Sequence, residues 1–238
     1  MTSKPELITT DSCPFGLACA GIMLVKQIPF ELVLVPSPPD LKSLGYDSPF
    51  GSVPLLKHGD HLLFDSIAIC EYLADTFPLE LHPADLARRA INRAWWQHAG
   101  EFTKALLNLC MTVEKTDFDE KSARTGSSFR KMESFLSGHG LFNGGSPSII
   151  DSAYQPFHAR HAALEAFLGF DPLSLPPRLI GWRDAVNATI GQASELHANH
   201  GARFIEYACA KNPHLKRLRS SGDKAAIAQS NAERTSIS

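Results

Sequence analysis

A cysteine at position 13 lies where a short strand should give way to a helix. Residues 6–10 have the pattern of a strand, and apolar residues recur at helical spacing from Leu17 to Ile28. Pro14 suits the first helical position, where an amide hydrogen is not needed. The helix N-terminus would then lower the thiol pKa of Cys13 from about 8.5 towards neutrality. The alternative is a small buried residue at a tight turn, and the Cys-Pro pair alone leaves both open.

Two further pairs of residues in the same region are candidates to bind a ligand beside such a thiol. A cis bond at Val53-Pro54 would turn the N–H and C=O of Val53 outward to pair with an extended peptide, and the alternative is an ordinary trans proline. Asp65 caps a helix at Asp65-Ser66, where N–H groups can bind a carboxylate and an acidic side chain can receive an ammonium group. A ligand with an α-amino acid end, a peptide-like middle and a thiol would contact all three places. Glutathione is such a molecule.

The elements that must position these residues mix strands and helices up to about residue 78. Helices follow Cys13 and Asp65, and residues 40–44 could form a short helix. A crossover helix between the first two strands makes them parallel, and a hairpin about Gly59-Asp60 adds an antiparallel edge. Four strands are predicted, at 6–10, 30–35, 53–57 and 61–64. Helical patterns then cover 84–112, 119–137, 148–168, 177–190 and 198–211.

Composition limits the class of protein. The 238 residues are 44% hydrophobic, enough for a sizeable core, and the net charge of -2 favours neither nucleic acid nor an anionic membrane as partner. No apolar run approaches the roughly 18 residues of a membrane span, and the N-terminus lacks the order of a signal peptide. The five cysteines are scattered and odd in number, as in a reducing compartment. We therefore predict a soluble cytoplasmic protein.

Residues 10–77 resemble the thioredoxin-like domain of glutathione transferases. The stretches 48–56 (Ser-Pro-Phe-Gly-Ser-Val-Pro-Leu-Leu) and 65–73 (Asp-Ser-Ile-Ala-Ile-Cys-Glu-Tyr-Leu) match its two signatures. Ser148 and Asp151 resemble the family's buried capping box, which closes a helix N-terminus reciprocally. The resemblance covers about residues 6–210, and the Cys-Pro-Phe turn is similar to that of the omega class and related bacterial members.

The resemblance implies a glutathione transferase architecture, with an α/β thioredoxin-like N-terminal domain at 1–78 and an all-α helical C-terminal domain at 87–215. A linker is expected at 79–86, and the polar composition of 216–238 predicts a disordered tail. The resemblance also implies a homodimer that uses glutathione as co-substrate and a small hydrophobic or disulfide-bearing second substrate. No metal, nucleic acid or membrane is expected to bind.

The same resemblance implies roles for individual residues. Cys13 would be the catalytic thiol and form a mixed disulfide with glutathione. Val53 would pair with the cysteinyl backbone, and Asp65 with Ser66 would hold the γ-glutamyl end. The expected glutathione-binding residues are Phe15, Lys42, Val53, Pro54, Asp65 and Ser66.

Two positions depart from the family pattern. Ala18 stands where the family often carries an arginine, and Lys42 is the only local candidate for the lysine that binds the glycine carboxylate.

The motif holds one thiol, because Phe15-Gly16 replaces the second cysteine of a Cys-x-x-Cys pair. The sequence therefore predicts monothiol chemistry, that of a glutathione-dependent thiol transferase or reductase. Two alternatives stay open: conjugation or deglutathionylation of a small electrophile, and a non-catalytic glutathione- or protein-binding module on the same scaffold. A Cys13 pKa near 8.5 would favour the binding module.

Overall fold

One mixed sheet forms the centre of the N-terminal half. The computed structural model describes residues 4–138, 140–192 and 194–218. The strands are β1 (Glu6–Thr9), β2 (Glu31–Leu34), β3 (Leu55–His58) and β4 (His61–Phe64). Their order in the sheet is β2-β1-β3-β4, with β1 parallel to β2 and antiparallel to β3. The parallel pair and the β3–β4 hairpin agree with the sequence prediction.

Helices cover this sheet and form the rest of the described chain. Helices α1 (Pro14–Val25) and α2 (Ser66–Thr76) belong to the sheet domain. The helices of the second half are α3 (Leu86–Cys110), α4 (Lys115–Arg130), α5 (Ile149–Leu168), α6 (Pro177–Thr189) and α7 (Glu195–Lys211). Helix α5 packs against α1, α3, α6 and α7, so it connects the two halves. A thioredoxin-like domain followed by a helical domain confirms the predicted fold class.

Two predicted segments differ from the structure. Residues 40–44 form turns rather than a short helix, because prolines precede them and Gly45, at a φ of +82°, ends the turn after them. The predicted tail begins too early, since residues 215–218 are helical and Leu218 is buried. The rest of that tail, 219–238, lies outside the described residues.

The N-terminus of α5 is fixed by the fully buried carboxylate of Asp151. It accepts hydrogen bonds from the Ser148 N–H at 2.8 Å and the Ser148 hydroxyl at 2.6 Å, which confirms the capping box. It also accepts from the Phe142 N–H at 2.9 Å and from the Trp182 indole N–H at 2.8 Å. Burial raises the pKa of Asp151, and these four donors oppose the rise. One carboxylate therefore joins α5 to the preceding loop and to α6.

Helix α1 approaches β1 so closely that position 16 has no room for a side chain. A Cβ on Gly16 would lie 1.9 Å from the Thr9 hydroxyl oxygen. We expect Gly16→Ala to destabilise the protein by about 1–3 kcal/mol, because the start of α1 must shift. Gly181 on the exposed face of α6 is the matched control: a Cβ there meets nothing within 4 Å, and Gly181→Ala should stabilise by up to about 1 kcal/mol. Chemical denaturation of both variants measures this, and equal changes in unfolding free energy would contradict the expectation.

Among the described residues, no helix is both long and apolar enough to cross a bilayer.

Candidate active site

Cys13 is the N-cap residue of α1, as the sequence predicts, with Pro14 in the first turn. Its sulfur accepts a hydrogen bond from the Gly16 N–H at 3.4 Å, and its thiol points to the Val53 carbonyl oxygen 4.0 Å away. The side chain is partly buried. A sulfur held by a helix N-terminus and next to an extended backbone segment is positioned for attack on a peptide-like disulfide.

Burial raises the pKa of the Cys13 thiol above its ordinary value. The N–H groups of Gly16 and Phe15 and the Thr9 hydroxyl favour the thiolate, but the loss of hydration is the larger effect. The predicted low pKa is therefore wrong. The sequence showed the helix N-terminus but not the packing around the sulfur, which comes from distant segments.

The raised pKa has a kinetic consequence. Below its pKa, a thiol gains about tenfold in thiolate fraction for each pH unit, and only the thiolate is nucleophilic. We expect the rate of Cys13 alkylation by iodoacetamide to rise continuously from pH 7 to above pH 8.5. Peptide mapping separates Cys13 from Cys209, the other partly exposed cysteine. A rate that levels off below pH 7 would mean that the thiol is acidic after all.

Val53-Pro54 and Asp65-Ser66 lie together near this thiol. The Val53-Pro54 bond is cis, the first of the two forms that the sequence left open. Asp65 is the N-cap residue of α2 and accepts from the N–H groups of Ile67 at 2.9 Å and Ala68 at 3.2 Å. Asp65 is exposed and Ser66 is partly buried, so both can reach a ligand.

A cavity of about 510 Å³, here named the large cavity, brings most of the predicted binding residues together. Its sheet-domain wall contains Phe15, Val53, Pro54, Asp65 and Ser66. Its other wall comes from α3 and α5 and includes Trp96, Gln97, Gly100, Thr103, Lys104 and Pro156. Five of the six residues predicted to bind glutathione therefore line one space between the two halves.

Lys42 does not belong to this group. It is exposed in the turns that follow β2 and lines neither this cavity nor the one next to Cys13. The structure therefore does not place Lys42 with the other five predicted residues, because its segment forms turns and does not carry the lysine to the cleft. Lys104 of α3 lines the large cavity instead, with its ammonium 5.9 Å from the Phe15 ring centroid. Sequence reasoning missed Lys104, because only the packing of α3 against the sheet domain brings it there.

A second cavity of about 390 Å³, here named the cysteine cavity, lies next to the thiol. Both cavities are lined by Pro14, Phe15, Ser52 and Val53, so the two spaces are neighbours, and Cys13 lines the cysteine cavity. Its remaining wall includes Cys13, Leu107, Arg160, His200, Arg203, Phe204 and Tyr207. The charged residues of this wall were also missed, since α5 and α7 begin 136 and 182 residues after Cys13 along the chain.

The described residues contain no group of three or more His, Cys, Asp or Glu side chains arranged to hold a metal ion.

Comparison with known proteins identifies the family. Residues 12–76 match the family described as Glutathione S-transferase, N-terminal domain. The mouse protein named glutathione S-transferase omega-1 is 25% identical over 177 residues, which cover 73% of this chain and 72% of that protein. The chain is therefore similar to members of the glutathione transferase superfamily, and the family model places the N-terminal domain of that family at residues 12–76. Its curated relatives include several omega-class proteins, as the Cys-Pro-Phe turn predicted.

Solved structures confirm the fold. Glutathione transferase Omega 3C from Trametes versicolor aligns with a TM-score of 0.72 at 20% identity, covering 87% of this chain and 93% of that one. Rice GST1, solved in complex with glutathione, aligns with a TM-score of 0.70 at 22% identity, covering 89% of this chain and 99% of that one. The predicted family, architecture and general class of glutathione transferase enzyme are confirmed. The role of each site residue stays a prediction.

Proposed function

We propose that the chain is a glutathione-dependent thiol transferase in which Cys13 is the nucleophile. The observation that carries this proposal is the position of the Cys13 sulfur at the N-terminus of α1, on the wall of the cysteine cavity and 4.0 Å from the carbonyl oxygen of Val53, a residue that lines both cavities. A thiol donor in the large cavity and an acceptor in the cysteine cavity would both reach this sulfur.

Glutathione fits the large cavity by its chemistry. In this proposal Asp65 receives the α-ammonium group, while the hydroxyl and the N–H of Ser66, at the start of α2, bind the α-carboxylate. The backbone of Val53 pairs with the cysteinyl unit, and Pro54 and Phe15 form the wall beside it. Lys104, rather than Lys42, supplies the cation for the glycine carboxylate.

The reaction then runs in two thiol–disulfide exchanges. The Cys13 thiolate attacks the glutathione sulfur of a mixed disulfide RS–SG, the S–S bond breaks, and RS⁻ leaves and takes up a proton. Cys13 is now bound to glutathione. The thiolate of a second glutathione attacks that glutathione sulfur, forms oxidised glutathione and restores Cys13. The net change is RSSG + GSH → RSH + GSSG.

The raised pKa of Cys13 leaves a small thiolate fraction near neutral pH. Because the nucleophilicity of a thiolate rises with the pKa of its thiol, each Cys13 thiolate that does form is a stronger nucleophile than a thiolate of lower pKa. The same observation favours a second candidate, the non-catalytic glutathione- or protein-binding module, for which an unactivated thiol would suffice. Conjugation of a small electrophile, in which the thiol of glutathione itself attacks, is the third.

Steady-state turnover distinguishes the three candidates. The mixed disulfide of glutathione with 2-mercaptoethanol tests thiol transfer, and 1-chloro-2,4-dinitrobenzene tests conjugation. We expect saturable reduction of the disulfide above the uncatalysed exchange and little conjugation. Conjugation without disulfide reduction would show a conjugating enzyme. Glutathione binding by calorimetry, with turnover of neither substrate, would show a binding module.

We place this activity in the cytoplasm and in a homodimer. All five cysteines are free thiols, which suits a reducing compartment. On the sheet domain the Phe50 side chain is 78% exposed and contacts Phe64 edge-on, a large apolar surface that a second copy of the chain would cover.

A further inference from the structure

Arg160 of α5 is a buried cation on the wall of the cysteine cavity. Its exposed fraction is 8%. Its Nε donates to His200 Nε2 at 3.1 Å and its Nη2 donates to the Ser12 carbonyl oxygen at 3.4 Å. The guanidinium lies over the Phe204 ring, 4.8 Å from the centroid. These contacts hold the group in place without neutralising its charge.

No carboxylate within the described part of the chain lies at ion-pair distance from Arg160. Other arginines in similar positions are paired. Arg183, also buried, pairs with Glu165 and Asp184, and Arg203, on the wall of the same cavity, pairs with Asp11 at 3.3 Å. A buried charge without a counter-ion is unfavourable, and buried charges in proteins are normally paired.

The charge on Arg160 persists at neutral pH. Burial lowers its pKa to about 10, and the nearby thiols of Cys13 and Cys110 resist this lowering. The guanidinium is therefore protonated, and it faces a cavity in which the reactive thiol is mostly protonated too. An anion that entered this cavity would find an unshared cation.

His200, on the same wall, holds the Arg160 guanidinium in place. Burial lowers the pKa of His200 to about 3, so the imidazole is neutral. Because its Nε2 accepts from Arg160, the ring proton is assigned to Nδ1. Nδ1 is buried and has no hydrogen-bond partner among the described residues. Arg160 is thus held by a neutral partner that brings no opposite charge.

We propose that the second substrate of this enzyme carries an anionic group, a carboxylate or sulfonate, that binds to Arg160 in the cysteine cavity. Phe204 and Tyr207 suit an apolar or aromatic body, so the substrate class is an anionic aromatic thiol in disulfide linkage. That the substrate reacts by thiol transfer rests on the proposed function. That it carries an anionic group is independent of the proposed function, because this follows from Arg160 alone.

Two alkylating reagents test the preference directly. Iodoacetate and iodoacetamide react with Cys13 by the same displacement, in which the S–C bond forms and iodide leaves, and they differ only in charge. The ratio of their rates is independent of the thiolate fraction. We expect Arg160→Met to lower the iodoacetate-to-iodoacetamide ratio about tenfold and Arg160→Lys to retain most of it. Arg203→Gln is the matched control and should change the ratio less than about twofold. An unchanged ratio in a folded Arg160→Met would overturn the proposal.

Protection experiments on the unmodified protein keep the proposal testable if Arg160→Met does not fold. Benzoate should protect Cys13 from iodoacetamide at a concentration about tenfold lower than benzamide, and the difference should shrink in high salt. Equal protection by the two would overturn the proposal.

The same protection experiment shows whether Arg160 binds an anionic second substrate or a carboxylate of glutathione. With the large cavity saturated by S-methylglutathione, benzoate that still binds identifies a second-substrate site. Competition between the two would assign Arg160 to a glutathione carboxylate and overturn the substrate assignment. None of these readouts uses turnover, so failure here and failure of the thiol transferase activity are separate results.

Discussion

Cys13→Ser should lower kcat/KM for glutathione-dependent disulfide reduction at least about a thousandfold, at the low end of the losses seen when an enzyme nucleophile is removed. A serine hydroxyl at this helix N-terminus stays protonated and forms no disulfide, so neither exchange step can occur. Glutathione binding should be nearly unchanged, since the predicted binding groups lie on Val53, Asp65 and Ser66. Initial rates with the mixed disulfide, together with calorimetry, measure both effects.

The matched control for that variant is Cys209→Ser. Cys209 is partly exposed on α7 and lines neither cavity, so this variant should keep full activity. If Cys13→Ser still reduces the disulfide, the thiol of bound glutathione would be the nucleophile, which would support the conjugating alternative.

Asp151→Ala should cost about 3 kcal/mol or more of unfolding free energy. At least two buried donors, the Phe142 N–H and the Trp182 indole N–H, lose this acceptor, and each unsatisfied buried donor costs about 1–3 kcal/mol. The start of α5 would loosen, and α5 carries Arg160 and much of the contact with α1. Chemical denaturation followed by tryptophan fluorescence measures the change, because Trp182 is one of the bonded groups.

Asp184→Ala is the control of the same chemical type. Asp184 is 60% exposed and pairs with Arg183 on α6, so its removal should cost less than about 1 kcal/mol. Similar losses for the two aspartates would show that the Asp151 bonds contribute little to stability.

The parts of the site that the sequence predicted well depend on residues close together in the chain. Cys13 and Asp65 are helix caps, and Ser148 and Asp151, three residues apart, form a capping box. Each of these features can be predicted from neighbouring residues without knowledge of the fold. The β3–β4 hairpin follows in the same way from its Gly59-Asp60 turn.

The parts that failed depend on packing between distant segments. Burial reversed the expected direction of the Cys13 pKa, and no pattern in the sequence around Cys13 shows that burial. Lys104, Arg160 and His200 reach the cavities only because α3, α5 and α7 fold over α1, and no local pattern marks them. The position of Lys42 outside both cavities has a local reason, since its segment, between prolines and a glycine, forms turns.

The intact mass of the protein after incubation with oxidised glutathione tests the nucleophilic role of Cys13 most directly. Attack by the Cys13 thiolate forms the mixed disulfide and releases one reduced glutathione. Thiol transferase chemistry predicts one glutathione adduct on the wild-type protein and none on Cys13→Ser. No adduct on the wild type, or the same adduct on both proteins, would contradict it.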